Sequence, residues 1–189
     1  MDTVSYVTRA APCKLWQFEY MAEYNIERLN VLVVDDNRHM RFLVRMILKS
    51  LGVREIIEAE EGESALKALR NFDADIVVCD WNMQPMDGIE FTKLVRTSDD
   101  SPNAYVPIIM LTGHTEVARV VTARDAGVNE FLAKPVSAKK IYQRIKEILD
   151  NPRQYVRTPT YFGPDRRRRQ DPEYSGEERR KASSSKGEK

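Results

Sequence analysis

Short, nearly continuous apolar runs alternate along this chain with stretches in which apolar residues recur every three or four positions. The run at 31–36, Val-Leu-Val-Val-Asp-Asp, reads as a strand buried on both faces that ends in two acids. Residues 38–50 follow with Met40, Leu43, Val44, Ile47 and Leu48 on one helical stripe, and Gly52 stops that helix. The alternation continues with a strand at 55–59, a helix at 63–70 that turns Ala65, Leu66 and Leu69 inward, and a strand at 75–79 leading into Asp80. A helix at 89–96, a strand at 106–111, a helix at 116–126 and a strand at 130–133 come next. Ser137 caps a last helix running to residue 149, with Ile141, Ile145 and Ile148 on one face. Such alternation builds βαβ units, so residues 30–150 are expected to form an α/β domain, a doubly wound five-stranded parallel sheet with five helices.

The ends of the chain do not follow this rhythm. Residues 1–29 show no sustained period and read as an N-terminal extension, with a short helix near 15–20 and a conceivable alternative start at Met21. Residues 151–189 are rich in Pro, Gly, Ser and charge, and read as a basic, largely disordered tail, with disorder expected from Gln170 onward. Tyr155, Tyr161 and Phe162 stand apart, because three rings within eight residues suggest that part of the segment docks on something. The tail carries 11 Lys and Arg against 6 Asp and Glu; from chain totals of 30 and 29, this leaves 19 against 23 in residues 1–150. The body is therefore acidic and the tail basic.

Composition narrows the function classes. An apolar fraction of 42% with 31% charged residues is that of a soluble globular protein, and no run approaches the length of a membrane span. The first residues lack the apolar core of a signal peptide, so the cytoplasm is the expected compartment. Cys13 and Cys79 support neither a disulfide framework nor a metal site, and Cys79 reads as a strand core residue. His39 and His114 are too few and too far apart for an ordinary zinc site.

In an open parallel sheet the C-terminal strand ends form the functional edge. The polar residues expected there are Asp35 and Asp36 after the first strand, Asp80 after the third, Thr112 after the fourth and Lys134 after the fifth. Converging carboxylates repel, and a divalent cation with oxygen ligands such as magnesium is the usual remedy. With that charge balanced, Asp80 can act as a nucleophile toward a phosphoryl group, with Lys134 and the Thr112 hydroxyl stabilising the transferred oxygens.

Taken together, Asp35-Asp36, the segment CDWNMQPMDG, Thr112 in IIMLTG, and Lys134-Pro135 in FLAKP resemble the receiver domain of bacterial two-component response regulators, most closely the single-domain chemotaxis type. The resemblance covers about residues 29–150 and implies the flavodoxin-like receiver fold. It implies phosphorylation at Asp80 and a Mg2+ site built from Asp35, Asp36, Asp80 and the backbone carbonyl of Asn82. It further implies phosphate contacts from Lys134 and Thr112, with Phe131 as an aromatic ring that moves when Thr112 does. Side chains at Asn82 and His114 hold the positions that tune dephosphorylation. One departure is plain: Gln84 stands where the family places its loop proline, and Pro85 follows.

The expected function is that of a stand-alone receiver, not an enzyme, fed by a histidine kinase or histidine phosphotransfer protein and read by an unidentified output protein. A homodimer through the fourth and fifth helices is compatible with this reading. An aspartate-nucleophile phosphatase would want a second aspartate at position 82, where Asn82 stands. A constitutive binding module would act through the tail, where Tyr161, Phe162 and Arg166, Arg167, Arg168 and Arg169 are the candidate contacts. The tail is too short and too polar for a DNA-binding helix-turn-helix domain. The loop at 98–105 reads as a surface insertion without chemistry.

Overall fold

The three central strands of the sheet are buried along their length save for Asn30 at the start of the first, while the two edge strands alternate, and this difference follows from strand order. The computed structural model describes residues 26–113, 117–158 and 160–166. Strands β1 (Asn30–Val34), β2 (Glu55–Ala59), β3 (Ile76–Asp80), β4 (Ile108–Thr112) and β5 (Glu130–Ala133) form one parallel sheet in the order β2-β1-β3-β4-β5. Helices α1 (Arg38–Ser50), α2 (Gly62–Asn71), α3 (Gly88–Thr97), α4 (Val117–Ala126) and α5 (Ala138–Asp150) connect the strands or follow the last of them. The chain leaves β1 toward one edge and returns to β3 on the other side. That reversal opens a crevice at the C-terminal ends of β1 and β3, where ligands of such sheets bind.

Alternation within β1 sends Val31 and Val33 to one face of the sheet and Leu32 and Val34 to the other. The first face packs on Val44 and Leu48 of α1 and on Ile141 and Ile145 of α5. The second packs on Ala65 and Leu69 of α2 and on Phe91 and Val95 of α3. Each fully buried Val, Leu or Ile contributes roughly 1.5–3 kcal/mol against leaving it in water. On α1 only Val44 and Leu48 of the expected stripe are buried, and Leu43 stays 43% exposed, beside exposed Phe42 and Met46. An i,i+4 pair is enough to seat this helix on the sheet.

The helix ends follow local chemistry. Asn37 accepts from the backbone N–H groups of His39 and Met40 at the start of α1, and Asp87 and Glu90 form a reciprocal capping box on α3. Ser137 accepts from the N–H of Lys140 at the start of α5.

The reading of residues 151–189 as a largely disordered tail is corrected over residues 155–164. Strands β6 (Tyr155–Thr158) and β7 (Tyr161–Pro164) pair as an antiparallel hairpin that packs on α3 and α4. Its rings supply the reason. Phe162 is buried and lies edge-on to Tyr105, at 5.2 Å between centroids, and Tyr155 meets Tyr105 at 5.1 Å. The docking target is thus the α/β body itself, with Tyr105 at the end of the 98–105 loop as its platform.

Beneath the rings lies Arg96, the largest fully buried side chain among the described residues. Its guanidinium donates to Gly127 O at 3.1 Å, Ala104 O at 2.9 Å and Asn129 Oδ1 at 3.0 Å, and sits 5.4 Å from the Tyr155 ring centre. None of those three acceptors is a carboxylate, and burial pulls the Arg96 pKa below its ordinary value. The Tyr155 hydroxyl closes the network by donating to Tyr105 O at 2.7 Å. Hairpin and body also meet where a Cβ on Gly163 would lie 2.9 Å from Gly127 Cα, a backbone approach that only glycine permits.

Replacing Phe162 by Ala removes the central ring of this cluster, and the expected loss of unfolding free energy is about 3 kcal/mol. Urea unfolding of the full chain measures it. An unchanged midpoint would show that the rings contribute nothing in solution.

Candidate functional site

Strand ends β1 and β3 bring three carboxylates into one crevice. Asp35 and Asp36 follow β1 directly, and Asp80 is the last residue of β3. One carboxylate oxygen from each lies within 4.8 Å of the others. Asp35 and Asp80 are buried and Asp36 is exposed. Lys134, following β5, reaches in from the opposite side, with its Nζ 2.9 Å from Asp80 Oδ1 and 3.6 Å from Asp35 Oδ2.

Backbone groups fix these side chains. Asp35 Oδ1 accepts from the N–H of Asn37 at 2.8 Å, and Asp80 Oδ1 accepts from the N–H of Trp81 at 2.8 Å. Arg41 donates to Asp35 O at 2.7 Å, tying the first turn of α1 to the acidic pair. On the other side Gly88 N donates to Trp81 O, and a Cβ at Gly88 would fall 2.3 Å from Asp80 O. Glycine at that position lets α3 start against the backbone of Asp80.

The electrostatics are unbalanced. Burial is the main force raising the Asp35 pKa; the charges of Asp80 and Asp36 push the same way, while the Asn37 N–H and Lys134 act against them. Asp35 Oδ2 is the one buried side-chain oxygen or nitrogen without a hydrogen-bond partner among the described residues. A buried, orphaned carboxylate oxygen within reach of two more carboxylates fits a hard divalent cation, whose oxygen ligands it would join. The acidic group is therefore one that can hold a metal ion.

The other expected site residues fall around this centre. Thr112 ends β4, is buried, and its carbonyl accepts from Lys134 N at 2.8 Å. The Lys134–Pro135 peptide is cis. Gly113, directly after Thr112, leaves open space where a side chain would stand. Asn82 lies exposed in the loop after Asp80. Phe131 packs, half-buried, on the cluster of Trp81, Ile89, Met110, Ala123, Ala126 and Val128. Cys79 is buried, and burial raises its thiol pKa well above the ordinary value. His114, Arg167, Arg168 and Arg169 lie outside the described residues.

The tail candidates divide. Phe162 is turned inward and unavailable to an outside ligand. Arg166 stacks on Tyr161 at 4.1 Å from the ring centre and pairs with Asp125 at 3.4 Å. Sequence reasoning missed Arg96, Asn129 and Glu130, which join the hairpin to the body. A basic residue on an amphipathic helix and an acid opening a strand carry no signal of burial, so only the ring cluster at 155–162 hinted at this interface.

Comparison with known proteins agrees with this geometry. A family model for the response regulator receiver domain matches residues 31–146. The chain is 33% identical to chemotaxis protein CheY-3 of Vibrio cholerae over 124 residues, covering 66% of this chain and 94% of that protein. It is 37% identical to chemotaxis protein CheY1 of Helicobacter pylori over 122 residues, covering 64% and 97%. Among solved structures, CheY4 of Vibrio cholerae matches with a TM-score of 0.58 at 29% identity, over 64% of this chain and 98% of that one. The receiver domain of the histidine kinase CKI1 from Arabidopsis thaliana, complexed with Mg2+ and BeF3-, matches with a TM-score of 0.60 at 28% identity, over 67% and 93%.

Because the Asp35 pKa is raised in the fold, the native state holds its proton more tightly than the unfolded chain does. Stability without metal therefore falls as pH rises from the ordinary carboxylate range through the raised value, and the loss is complete above it. Asp35→Asn should raise the metal-free stability at neutral pH by about 1–3 kcal/mol and remove the stabilisation that millimolar magnesium gives the native sequence. Thermal melts with and without magnesium test both. A variant less stable than the parent without metal would contradict the desolvation account.

Proposed function

The chain belongs to the response regulator receiver domain family, and from that premise we propose that it accepts a phosphoryl group on Asp80 from a histidine kinase or histidine phosphotransfer protein and signals to a protein partner. The observation that carries this reading is the pairing of Lys134 Nζ with Asp80 Oδ1 at 2.9 Å, beside the orphaned Asp35 Oδ2. Lys134 and the Trp81 N–H both engage Oδ1, which supports Oδ2 as the attacking oxygen. It forms the new O–P bond as the P–N bond of the donor phosphohistidine breaks, and the electron pair leaves with the imidazole nitrogen. Asp35, Asp36, Asp80 and the Asn82 carbonyl would hold Mg2+, which supplies positive charge for the transferred oxygens. The Lys134 ammonium, already on Asp80, follows the charge as it moves onto the phosphoryl group.

Readout runs through the packing beside the acceptor. Trp81 adjoins Asp80 and shares a cluster with Met110, Ala123 and Phe131. When the Thr112 hydroxyl turns to the phosphoryl oxygens, the space it leaves lets the Phe131 ring move inward. The surface of α4, β5 and α5 then changes for a partner protein.

With magnesium and beryllofluoride, the full chain should show NMR shifts at Thr112, Phe131 and along α4 and α5 that Asp80→Asn abolishes. Lys134→Gln should slow phosphorylation by acetyl phosphate by on the order of 10²-fold, followed by intact mass. Unaltered spectra in the parent, or an Asp80→Asn protein that still gains a phosphoryl group, would sink the assignment.

A further inference from the structure

The C-terminal segment also completes a concave site on the receiver body, distinct in its lining from the acidic crevice. We propose that this pocket, of about 410 Å3 between α4, β5, α5 and the flanks of the hairpin, binds the phosphate monoester of a small molecule. Four arginines line it, Arg124 from α4, Arg144 from α5, and Arg153 and Arg166 from either side of the hairpin, while Phe131 and Val128 supply an apolar wall. Its volume lies within the range of small-ligand sites.

Charge selects the ligand class. Glu130, which also lines the pocket, is 2% exposed and accepts from Arg144 Nη1 at 3.4 Å and Arg153 Nη2 at 3.0 Å, so its charge is offset by two arginines. Asp125 faces Arg124 at 3.1 Å and Arg166 at 3.4 Å. Four cations thus stand against two anions at these contacts, an excess that a dianion balances. A phosphate monoester carries about −1.5 to −2 near neutral pH, whereas a carboxylate or sulfate ester offers only one charge. Guanidinium is also the group whose planar donors match phosphate oxygens in pairs. The bonds to Glu130 take one nitrogen each from Arg144 and Arg153, and Arg166 engages Asp125 through Nη1, so N–H groups remain to meet a ligand. Stacking on Tyr161, at 4.1 Å from the ring centre, holds the Arg166 guanidinium by its flat face. Phe131 and Val128 then suit an ester that bears an apolar or planar group, in preference to bare phosphate.

To separate this site from phosphorylation at Asp80, the test uses the full chain carrying Asp80→Asn, without magnesium, and follows NMR titration with phenyl phosphate, phenyl sulfate and inorganic phosphate. Saturable shifts at Phe131 and Val128 with phenyl phosphate are expected, with binding tenfold or more weaker for phenyl sulfate and in Arg166→Gln and Arg124→Gln. Those two substitutions leave the Glu130 pairing intact, so they preserve the fold where changes at Arg144 or Arg153 endanger it. Absence of saturable shifts, or unchanged affinity in both variants, overturns the site. Inorganic phosphate bound as tightly as phenyl phosphate overturns the ester assignment.

Discussion

Three carboxylates held within 4.8 Å of one another repel, and two of them are also taken out of water. That repulsion is the constraint on which the rest of the molecule depends. It is sustained because β1 and β3 are central strands, buried on both faces and paired in register from Val31 to Val34. Neither strand end can retreat without dragging a packed sheet with it. Lys134 offsets part of the cost from across the crevice, and the unsatisfied Asp35 oxygen shows that the offset is incomplete. A site left in this condition has affinity for positive charge built into it, and that affinity is what a receiver uses.

The same rigidity gives the site a way to be heard. Asp80 is followed by Trp81, whose side chain is packed with Met110, Ala123, Ala126, Val128 and Phe131. A change of charge at Asp80 thus borders a dense apolar cluster whose other side is the surface of α4 and β5. Packed clusters of this kind shift between discrete arrangements more readily than they deform.

This chain adds a layer to that arrangement. The hairpin closes over Arg96 and touches the body at Gly127, the residue between Ala126 and Val128 of the cluster beside Asp80. A buried guanidinium held by neutral oxygens is costly unless every donor finds an acceptor and water is kept out. Carbonyls at Ala104 and Gly127, the amide of Asn129 and the ring of Tyr155 meet that need together. The acidic body and basic tail seen in the charge distribution meet at Glu130 and Asp125, whose carboxylates take Arg153 and Arg166 from the tail.

Much of this could be read from residue order. Apolar runs and helical stripes located the five strands and five helices to within about two residues, because period and strand burial are local properties of sequence. The convergence of Asp35, Asp36, Asp80, Thr112 and Lys134 was equally legible, since a parallel α/β sheet gathers its C-terminal strand ends at one edge. What sequence did not reveal depends on contacts between distant segments: Arg96 buried under Tyr155, Glu130 between two arginines, Phe162 turned inward, and Asp35 Oδ2 left without a donor. By composition residues 151–166 resemble a solvated tail, and only the rings of Tyr155, Tyr161 and Phe162 hint that part of them docks. Their structure exists because a surface elsewhere in the chain offers rings, carbonyls and a glycine at matching positions, and only packing in three dimensions decides such a match.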